Sequence, residues 1–175
     1  MNKVDMPTDV LNTNPTIDPS VFIARGAQII GDVRLAEGSS IWYNAVLRGD
    51  INSIRIGKRT NLQDGTIVHV DYEINDVVVG DEVTIGHRAV IHGCWIHSRC
   101  LIGMNATVLS GAEIQTGAIV AAGAVVRENQ VIPQRTLFAG VPAAPVRDVT
   151  DEEWETIVNS AAHYVHYGKK YLNEN

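Results

Sequence analysis

A large aliphatic residue returns every sixth position along most of this chain. Four unbroken runs carry the pattern, and they consist of Ile23, Ile29, Leu35, Ile41 and Leu47; Ile56, Leu62 and Val68; Val79, Ile85 and Ile91; and Ile96, Ile102, Val108, Ile114, Val120, Val126 and Ile132. A helix would need apolar residues three and four apart, and a simple strand would alternate every two. A period of six instead predicts a short strand followed by a turn, with three such units in each coil of an all-β solenoid.

Small residues dominate the position four places after each aliphatic, as at Ala45, Ala106 and Ala118. We expect the aliphatics to fill the interior of a triangular prism and the small residues to occupy its tight corners. Successive coils should stack at about 4.8 Å, the spacing between neighbouring strands.

Three interruptions of the period carry information. The first, nine residues from Leu47 to Ile56, predicts a three-residue insertion after Leu47. The second, eleven residues from Val68 to Val79, fits either one unit with a five-residue loop or two units with a deletion. The polar, turn-forming segment 71–76 favours the loop. The third spacing, five residues after Ile91, predicts a one-residue deletion.

The flanking segments divide the chain into four parts. Residues 1–20 contain three prolines and few aliphatics, which predicts an extended N-terminal arm. The repeat region spans 21–133, and prolines after it predict an extended connector over 134–149. A helix is expected over 150–175, packed along one wall of the solenoid.

The start of this helix has the pattern of a capping box, with Thr150 at the N-cap and Glu153 three residues later. Its apolar face is expected to contain Trp154, Ile157, Val158, Ala161 and Val165.

Composition and charge narrow the class of protein. The chain has 175 residues, 14 Lys and Arg against 20 Asp and Glu, and a net charge of −6, which argues against a nucleic-acid partner. No apolar run approaches the ~18 residues of a membrane span. The two cysteines cannot make a disulfide framework, and the first residues lack the apolar stretch of a signal peptide. These features predict a cytoplasmic, soluble, single-domain protein with no membrane partner. Its expected partner is a small-molecule substrate.

Two histidines fall in one column of the predicted solenoid. With the loop interpretation, Leu47, Val68, Ile91 and Val108 share a face, so the residues after them form an outward column of Arg48, His69, His92 and Leu109. We expect His69 and His92 to be neighbours one coil apart, close enough to share one ion.

The position of His87 suggests a shared site. It follows Gly86 on the preceding face, nearly a full side of the triangle away from His92. One chain therefore cannot easily bring the three histidines together, whereas a closed ring of three chains would create three equivalent sites. Asp64 occupies the equivalent place one coil before His87 and is a candidate partner for it, and Gln63 is expected to reach a metal-bound water.

Three neutral imidazoles with one open position are the ligand set of a catalytic zinc site. They predict an ion that keeps its full positive charge and makes hydroxide available near neutral pH.

At these positions the sequence resembles the gamma-class carbonic anhydrase family. The matching motifs are Arg48-Gly49-Asp50, Thr60-Asn61-Leu62-Gln63-Asp64-Gly65, His69, Thr84-Ile85-Gly86-His87, His92-Gly93-Cys94, Leu101-Ile102-Gly103-Met104 and Gly140-Val141-Pro142-Ala143. The resemblance covers about residues 20–173.

The resemblance implies a left-handed parallel β-helix and a homotrimer with metal at the subunit interfaces. It assigns His69 and His92 of one chain and His87 of the next as ligands to Zn2+, with Fe2+ or Co2+ as alternatives. It further implies that Arg48 and Asp50 form an interface ion pair beside the site.

The resemblance also implies that Asn61 and Gln63 orient the bound hydroxide and the substrate. One departure is the short loop after His69, in which Tyr72 and Glu73 are the nearby candidates for moving a proton. Tyr164 of the terminal helix is a further residue that could line the site.

Three functions remain open from the sequence. The first is a carbonic anhydrase, fully or weakly active, in which metal hydroxide attacks carbon dioxide to give bicarbonate. The second is a transferase or thioesterase acting on coenzyme A thioesters, since such enzymes share the hexapeptide repeat. The third is a non-catalytic trimeric metal-binding scaffold.

Overall fold

The computed structural model describes residues 13–174, which form short strands followed by one helix. In chain order these elements are β1 (Thr16–Ile17), β2 (Phe22–Ile23), β3 (Gln28–Leu35), β4 (Ser40–Ile41), β5 (Val46–Ile56), β6 (Asn61–Leu62), β7 (Ile67–His69), β8 (Val77–Val79), β9 (Thr84–Ile85), β10 (Val90–His92), β11 (Trp95–Ile96), β12 (Leu101–Ile102), β13 (Thr107–Val108), β14 (Glu113–Ile114), β15 (Ile119–Val120), β16 (Val125–Val126), β17 (Val131–Ile132), β18 (Thr136–Ala139), β19 (Ala144–Asp148) and α1 (Asp151–Glu174).

The strands stack into three faces, as the period of six predicts. What we call the histidine face contains β7, β10, β13 and β16, and the tryptophan face contains β1, β8, β11, β14 and β17. The long strands β3 and β5 turn a corner and contribute to both of these faces. The third, helix face runs from β2 through β4, β6, β9, β12, β15 and β18 to β19. Pairing is parallel between coils, and the protein is a β-solenoid of about seven turns.

The periodic aliphatics fill the prism. Ile41, Leu47, Leu62, Ile85 and Ile102 are fully buried and belong to one continuous core cluster. The small residues lie at the corners, where Ala45, Ala89, Ala106, Ala112 and Ala118 are also fully buried. The residue before such a corner is often in the left-handed backbone region, for example Asn105 with φ 57°. Asparagine tolerates that conformation better than most side chains do, which explains its use there.

The interpretation of the interruptions is confirmed. Ile29 pairs with Leu47 and Leu35 pairs with Ile56, so β5 carries three more residues than β3 over the same corner. Residues 71–76 form a loop between β7 and β8, which lie on successive faces.

The ends of the solenoid contain strands within the predicted arm and connector. Thr16–Ile17 of the arm pairs with β3, while residues 1–12 lie outside the described part of the chain. Residues 134–149 do not form the single extended connector that the prolines predicted. They contain β18, which continues the helix face, and β19, which follows a turn over 140–143 and pairs with β18 antiparallel.

Helix α1 begins with the predicted capping box. The backbone N–H of Thr150 donates to the Glu153 carboxylate at 3.0 Å, and the N–H of Glu153 donates to the Thr150 hydroxyl at 3.2 Å. Ile157 and Ala161 are buried, and the helix lies on the face that contains β2, β4 and β9. Among residues 13–174, no helix combines the length and apolar composition that a bilayer span requires.

Candidate metal centre

Strand register brings His69 and His92 together. Arg48 pairs with His69 and His69 pairs with His92, in three successive strands of the histidine face. The predicted column is therefore confirmed. The Nδ1 atom of His69 lies 3.2 Å from the Nε2 atom of His92.

The outer nitrogen of the His69 ring contacts a carboxylate. Its Nε2 atom lies 3.1 Å from Oδ1 of Asp50, and the other oxygen of Asp50 accepts a hydrogen bond from the Arg48 guanidinium. Asp50 lies two residues after Arg48, which pairs with His69, in the part of β5 that turns from the histidine face toward the tryptophan face. Arg48 and Asp50 thus pair within one chain and border the two histidines.

Burial and charge favour the neutral form of His69 and the ionised form of Asp50. Burial lowers the pKa of His69, and the nearby positive charge of Arg48 lowers it further against the opposing effect of Asp50. Burial alone would raise the pKa of Asp50, but hydrogen bonds from Arg48 and His69 outweigh it and bring that pKa below its ordinary value. A neutral imidazole is the form that binds a metal ion.

The partner on the outer side of His92 is a residue that the sequence analysis missed. Nδ1 of His92 lies 2.9 Å from the hydroxyl of Ser110, while the nearest oxygen of Asp71 is 3.6 Å away. Ser110 follows Leu109, the next member of the outward column, so the repeat itself contained the signal for it. Asp71 belongs to the loop, whose geometry the repeat does not specify.

His87 lies at a different corner of the prism. It follows β9 on the helix face, and its Nδ1 atom lies 2.8 Å from the carboxylate of Asp64 in the coil before it. Both side chains are partly exposed. Over residues 13–174, no three histidine, cysteine or acidic side chains of one chain are arranged to hold a metal ion.

A pocket of about 460 Å³ adjoins His87. Its walls come from the helix face and helix α1, and most of its lining is apolar: Leu101, Ile102, Met104, Ile119, Val120, Ala121 and Ala122. Its polar lining includes Gln63, Thr84, Ser160 and Tyr164. The pKa of Tyr164 is raised, first by burial and then by the negative charge of Asp64.

Gln63 reaches this pocket and Asn61 supports it. The Gln63 amide donates to the side-chain oxygen of Asn61 at 3.2 Å, and the Asn61 amide donates to the Thr84 hydroxyl at 3.0 Å. Asn61 is fully buried, so it contacts Gln63 rather than the solvent side of the pocket.

Both cysteines are core residues. Cys94 follows two residues after His92, but its side chain is fully buried, and burial raises the pKa of its thiol to about 12. Cys100 occupies a corner position, and burial also raises its thiol pKa to about 12. Neither thiol ionises near neutral pH, so neither is a ready metal ligand or redox sensor.

Comparison with known proteins agrees with the hexapeptide repeat and with the resemblance to carbonic anhydrases. Residues 93–128 match the family model of the bacterial transferase hexapeptide (six repeats). A protein of Methanocaldococcus jannaschii named "Probable carbonic anhydrase" is 52% identical over 149 residues, which cover 85% of this chain and 93% of that protein. A crystal structure of a hexapeptide transferase family protein from Anaplasma phagocytophilum is 38% identical, with a TM-score of 0.88, and the match covers 91% of this chain and 93% of that one.

A longer relative matches almost the whole chain. The mitochondrial gamma carbonic anhydrase 2 of Arabidopsis thaliana is 43% identical over 172 residues, or 95% of this chain, which spans 62% of that relative's length. Given these identities, the solenoid fold and the histidine column, the chain belongs to the gamma carbonic anhydrase family.

Proposed function

We propose that this chain is a metal-dependent carbonic anhydrase that converts carbon dioxide and water to bicarbonate and a proton. The observation that carries the proposal is the 3.2 Å separation between Nδ1 of His69 and Nε2 of His92. Two nitrogens that each bind one tetrahedral zinc ion at about 2.0–2.1 Å lie about 3.3–3.4 Å apart. The two rings are therefore spaced as two ligands of one ion.

The chemistry of the donors fits such an ion. Asp50 accepts the hydrogen on Nε2 of His69, which leaves the lone pair of Nδ1 directed toward His92. Imidazoles suit Zn2+, with Fe2+ and Co2+ as alternatives, and a bound ion of this kind lowers the pKa of water toward 7 so that hydroxide is available.

We propose that His87 of a neighbouring chain completes the ligand set in a homotrimer. Its place at another corner of the prism, and the lack of three suitable ligands in residues 13–174 of one chain, support sharing between chains. A three-fold ring repeats one interface type and closes without free edges. Asp64 holds Nδ1 of His87, so that its Nε2 is the nitrogen left for the ion.

Other side chains are assigned to orienting the water and the substrate beside the proposed metal site. Gln63 lines the pocket beside His87, and its bond to Asn61 fixes the orientation of its amide. We assign to Gln63 the role of holding the attacking water in line with carbon dioxide, with Asn61 as its support. Arg48 keeps the Asp50 carboxylate ionised, and Asp50 in turn contacts the ring of His69. Arg48 therefore acts on the metal site indirectly, through Asp50 and His69.

The proposal is tested by carbon dioxide hydration measured on chelator-treated protein reconstituted with zinc or, without oxygen, with ferrous iron. We expect activity that requires the metal and is lost in His69→Ala. His97→Ala is the matched control, because His97 is a half-exposed histidine paired with Glu113 on the tryptophan face. Metal-independent hydration, or no hydration with either metal, would contradict the proposal.

A specific observation favours one second candidate, a hydrolase or transferase of coenzyme A thioesters. The His87–Asp64 pair has the arrangement of an oriented general base, and its pocket of about 460 Å³ has room for more than carbon dioxide. Such a reaction would not need the pair formed by His69 and His92. Thioester turnover that survives His69→Ala but not His87→Ala would therefore support the second candidate. Metal binding with neither activity would indicate a non-catalytic scaffold.

We further propose that the protein acts in the cytoplasm. The two cysteines are free and buried, which is compatible with a reducing compartment.

A further inference from the structure

The groups around Ser110 determine which ring nitrogen of His92 carries a hydrogen. The Ser110 hydroxyl is 2.9 Å from Nδ1 of His92, and Oδ1 of the Asp71 carboxylate lies 3.6 Å from the same nitrogen. An ionised carboxylate is negative and only accepts, so it favours a hydrogen on the ring nitrogen that faces it. The N–H at Nδ1 of His92 then donates to the Ser110 oxygen, because a hydroxyl can accept as well as donate.

Asp71 is held in place independently of Ser110. The Asn75 amide donates to Oδ2 of Asp71 at 3.0 Å, and the Asn52 amide donates to its backbone carbonyl at 3.2 Å. Gly93 makes room for the carboxylate, because a Cβ atom at Gly93 would lie only 2.7 Å from Oδ2 of Asp71. The loop over 71–76 is thus packed so that the Asp71 carboxylate lies near Nδ1 of His92.

The direction of the hydrogen bond between His92 and Ser110 determines which ring nitrogen of His92 keeps a free lone pair. With the hydrogen on Nδ1, the lone pair is on Nε2, which points at Nδ1 of His69. Asp50 has the same effect on the His69 ring from the other side. Two lone pairs that face each other at 3.2 Å repel unless a cation lies between them, so both rings are arranged for a shared ion.

We propose that Ser110 and Asp71 are positioning residues that fix the tautomer of His92 and so present its Nε2 lone pair to the metal. The inference rests on the proposed function, since it concerns the same ion. It assigns the loop over 71–76 a role in building the metal site, separate from any part in moving protons.

The test is Co2+ affinity, measured by chelator competition and by the visible absorption of the bound ion. Loss of an outer hydrogen-bond partner typically weakens metal binding about 10–100-fold, so we expect a loss of that size in Ser110→Ala and Asp71→Ala. Ser110→Thr keeps the hydroxyl and should restore the wild-type absorption. The double variant should bind no more weakly than the weaker single variant, because both changes act on the same nitrogen of His92.

Ser98→Ala is the matched control, because the Ser98 hydroxyl also bonds a neighbouring coil, at the backbone N–H of Asp81. It should leave Co2+ affinity unchanged. If Ser110→Ala loses its β-sheet circular dichroism, Asp71→Ala decides the outcome. Wild-type protein that binds Co2+ together with unchanged affinity in the folded variants would overturn this inference alone. Wild-type protein that binds no Co2+ would overturn the proposed function and the inference with it.

Discussion

His69 and His92 are 23 residues apart in sequence, yet their facing ring nitrogens are separated by 3.2 Å. The register of β7 and β10 puts the two residues directly opposite each other. Because Nδ1 of one ring faces Nε2 of the other, a single ion placed between them would be bound by both. The rest of the site is organised around this pair, with Asp50 on one outer side and Ser110 on the other.

The Asp50 carboxylate should matter for metal affinity more than for folding. Asp50→Asn removes a charged acceptor from Nε2 of His69, and we expect about 10–100-fold weaker zinc binding with an unchanged β-sheet spectrum. Asp32→Asn is the matched control, since Asp32 forms an ion pair with Arg55 on the tryptophan face. Equal zinc affinity of wild type and Asp50→Asn, measured by chelator competition, would show that Asp50 does not orient the ligand.

The solenoid should fold without metal. Its core is a continuous cluster of buried hydrophobic residues from Val21 to Ala143, and it does not include the histidines. We expect the β-sheet circular dichroism of chelator-treated protein to match that of the zinc-loaded protein. A large loss of that signal on metal removal would mean that the ion is part of the fold, as in zinc fingers.

The corners of the prism should not accept large side chains. Ala106 is fully buried, and Ala106→Leu forces extra atoms into a closed corner, which typically costs about 1–3 kcal/mol of unfolding free energy. Met104 lies two residues away with 52% of its surface exposed, and Met104→Leu should change the free energy by less than about 0.5 kcal/mol. Urea denaturation followed by circular dichroism measures both, and equal stability of the two variants would argue against tight corners.

Helix α1 should weaken in acid through its capping box. Hydrogen bonds from Arg147 and the Thr150 backbone lower the pKa of Glu153 to about 2, from an ordinary value of 4.5. The carboxylate therefore contributes stability that is present above about pH 4.5 and is lost as the pH falls through about 2. Hydrogen exchange of the helix amides should show wild type more protected than Glu153→Gln at pH 6, with the difference shrinking toward pH 2. A difference that is independent of pH would contradict this assignment.

The period of six was sufficient to predict the faces and the histidine column. Each aliphatic position implies an inward side chain, and the loop interpretation after Val68 then places His69 beside His92. The same arithmetic puts Asp64 one coil before His87, where it lies within 2.8 Å of the ring. Regular stacking makes such contacts predictable, because every coil repeats the same register.

Contacts that depend on irregular segments were not predictable in this way. Asp71 approaches His92 through the packing of the loop against Gly93, and no repeat specifies that conformation. The strand at Thr16–Ile17 lies in a segment with few aliphatics, and it forms because β3 offers a free edge. The orientation of the His69 ring likewise depends on Asp50, which lies where β5 interrupts the repeat.

The division of ligands between chains is the central claim, and it predicts complementation between inactive variants. In the proposed trimer, one chain would supply His69 and His92 to each metal site and its neighbour would supply His87. His87→Ala and His92→Ala should each bind zinc poorly, since each lacks one of three imidazoles. When subunits of the two are exchanged at equal amounts, about a quarter of the interfaces in a three-fold ring combine the intact halves and contain all three ligands. A mixture of His69→Ala with His92→Ala is the control. Both substitutions fall on the same side of the proposed interface, so no combination of these chains contains all three histidines.

The most direct measurement is the amount of zinc bound tightly by these two mixtures after verified subunit exchange. The account predicts that the mixture of His87→Ala with His92→Ala regains about a quarter of the wild-type zinc, while the mixture of His69→Ala with His92→Ala regains none. Exchange without any regained zinc in the first mixture, or equal recovery in both, would contradict a metal site shared between chains.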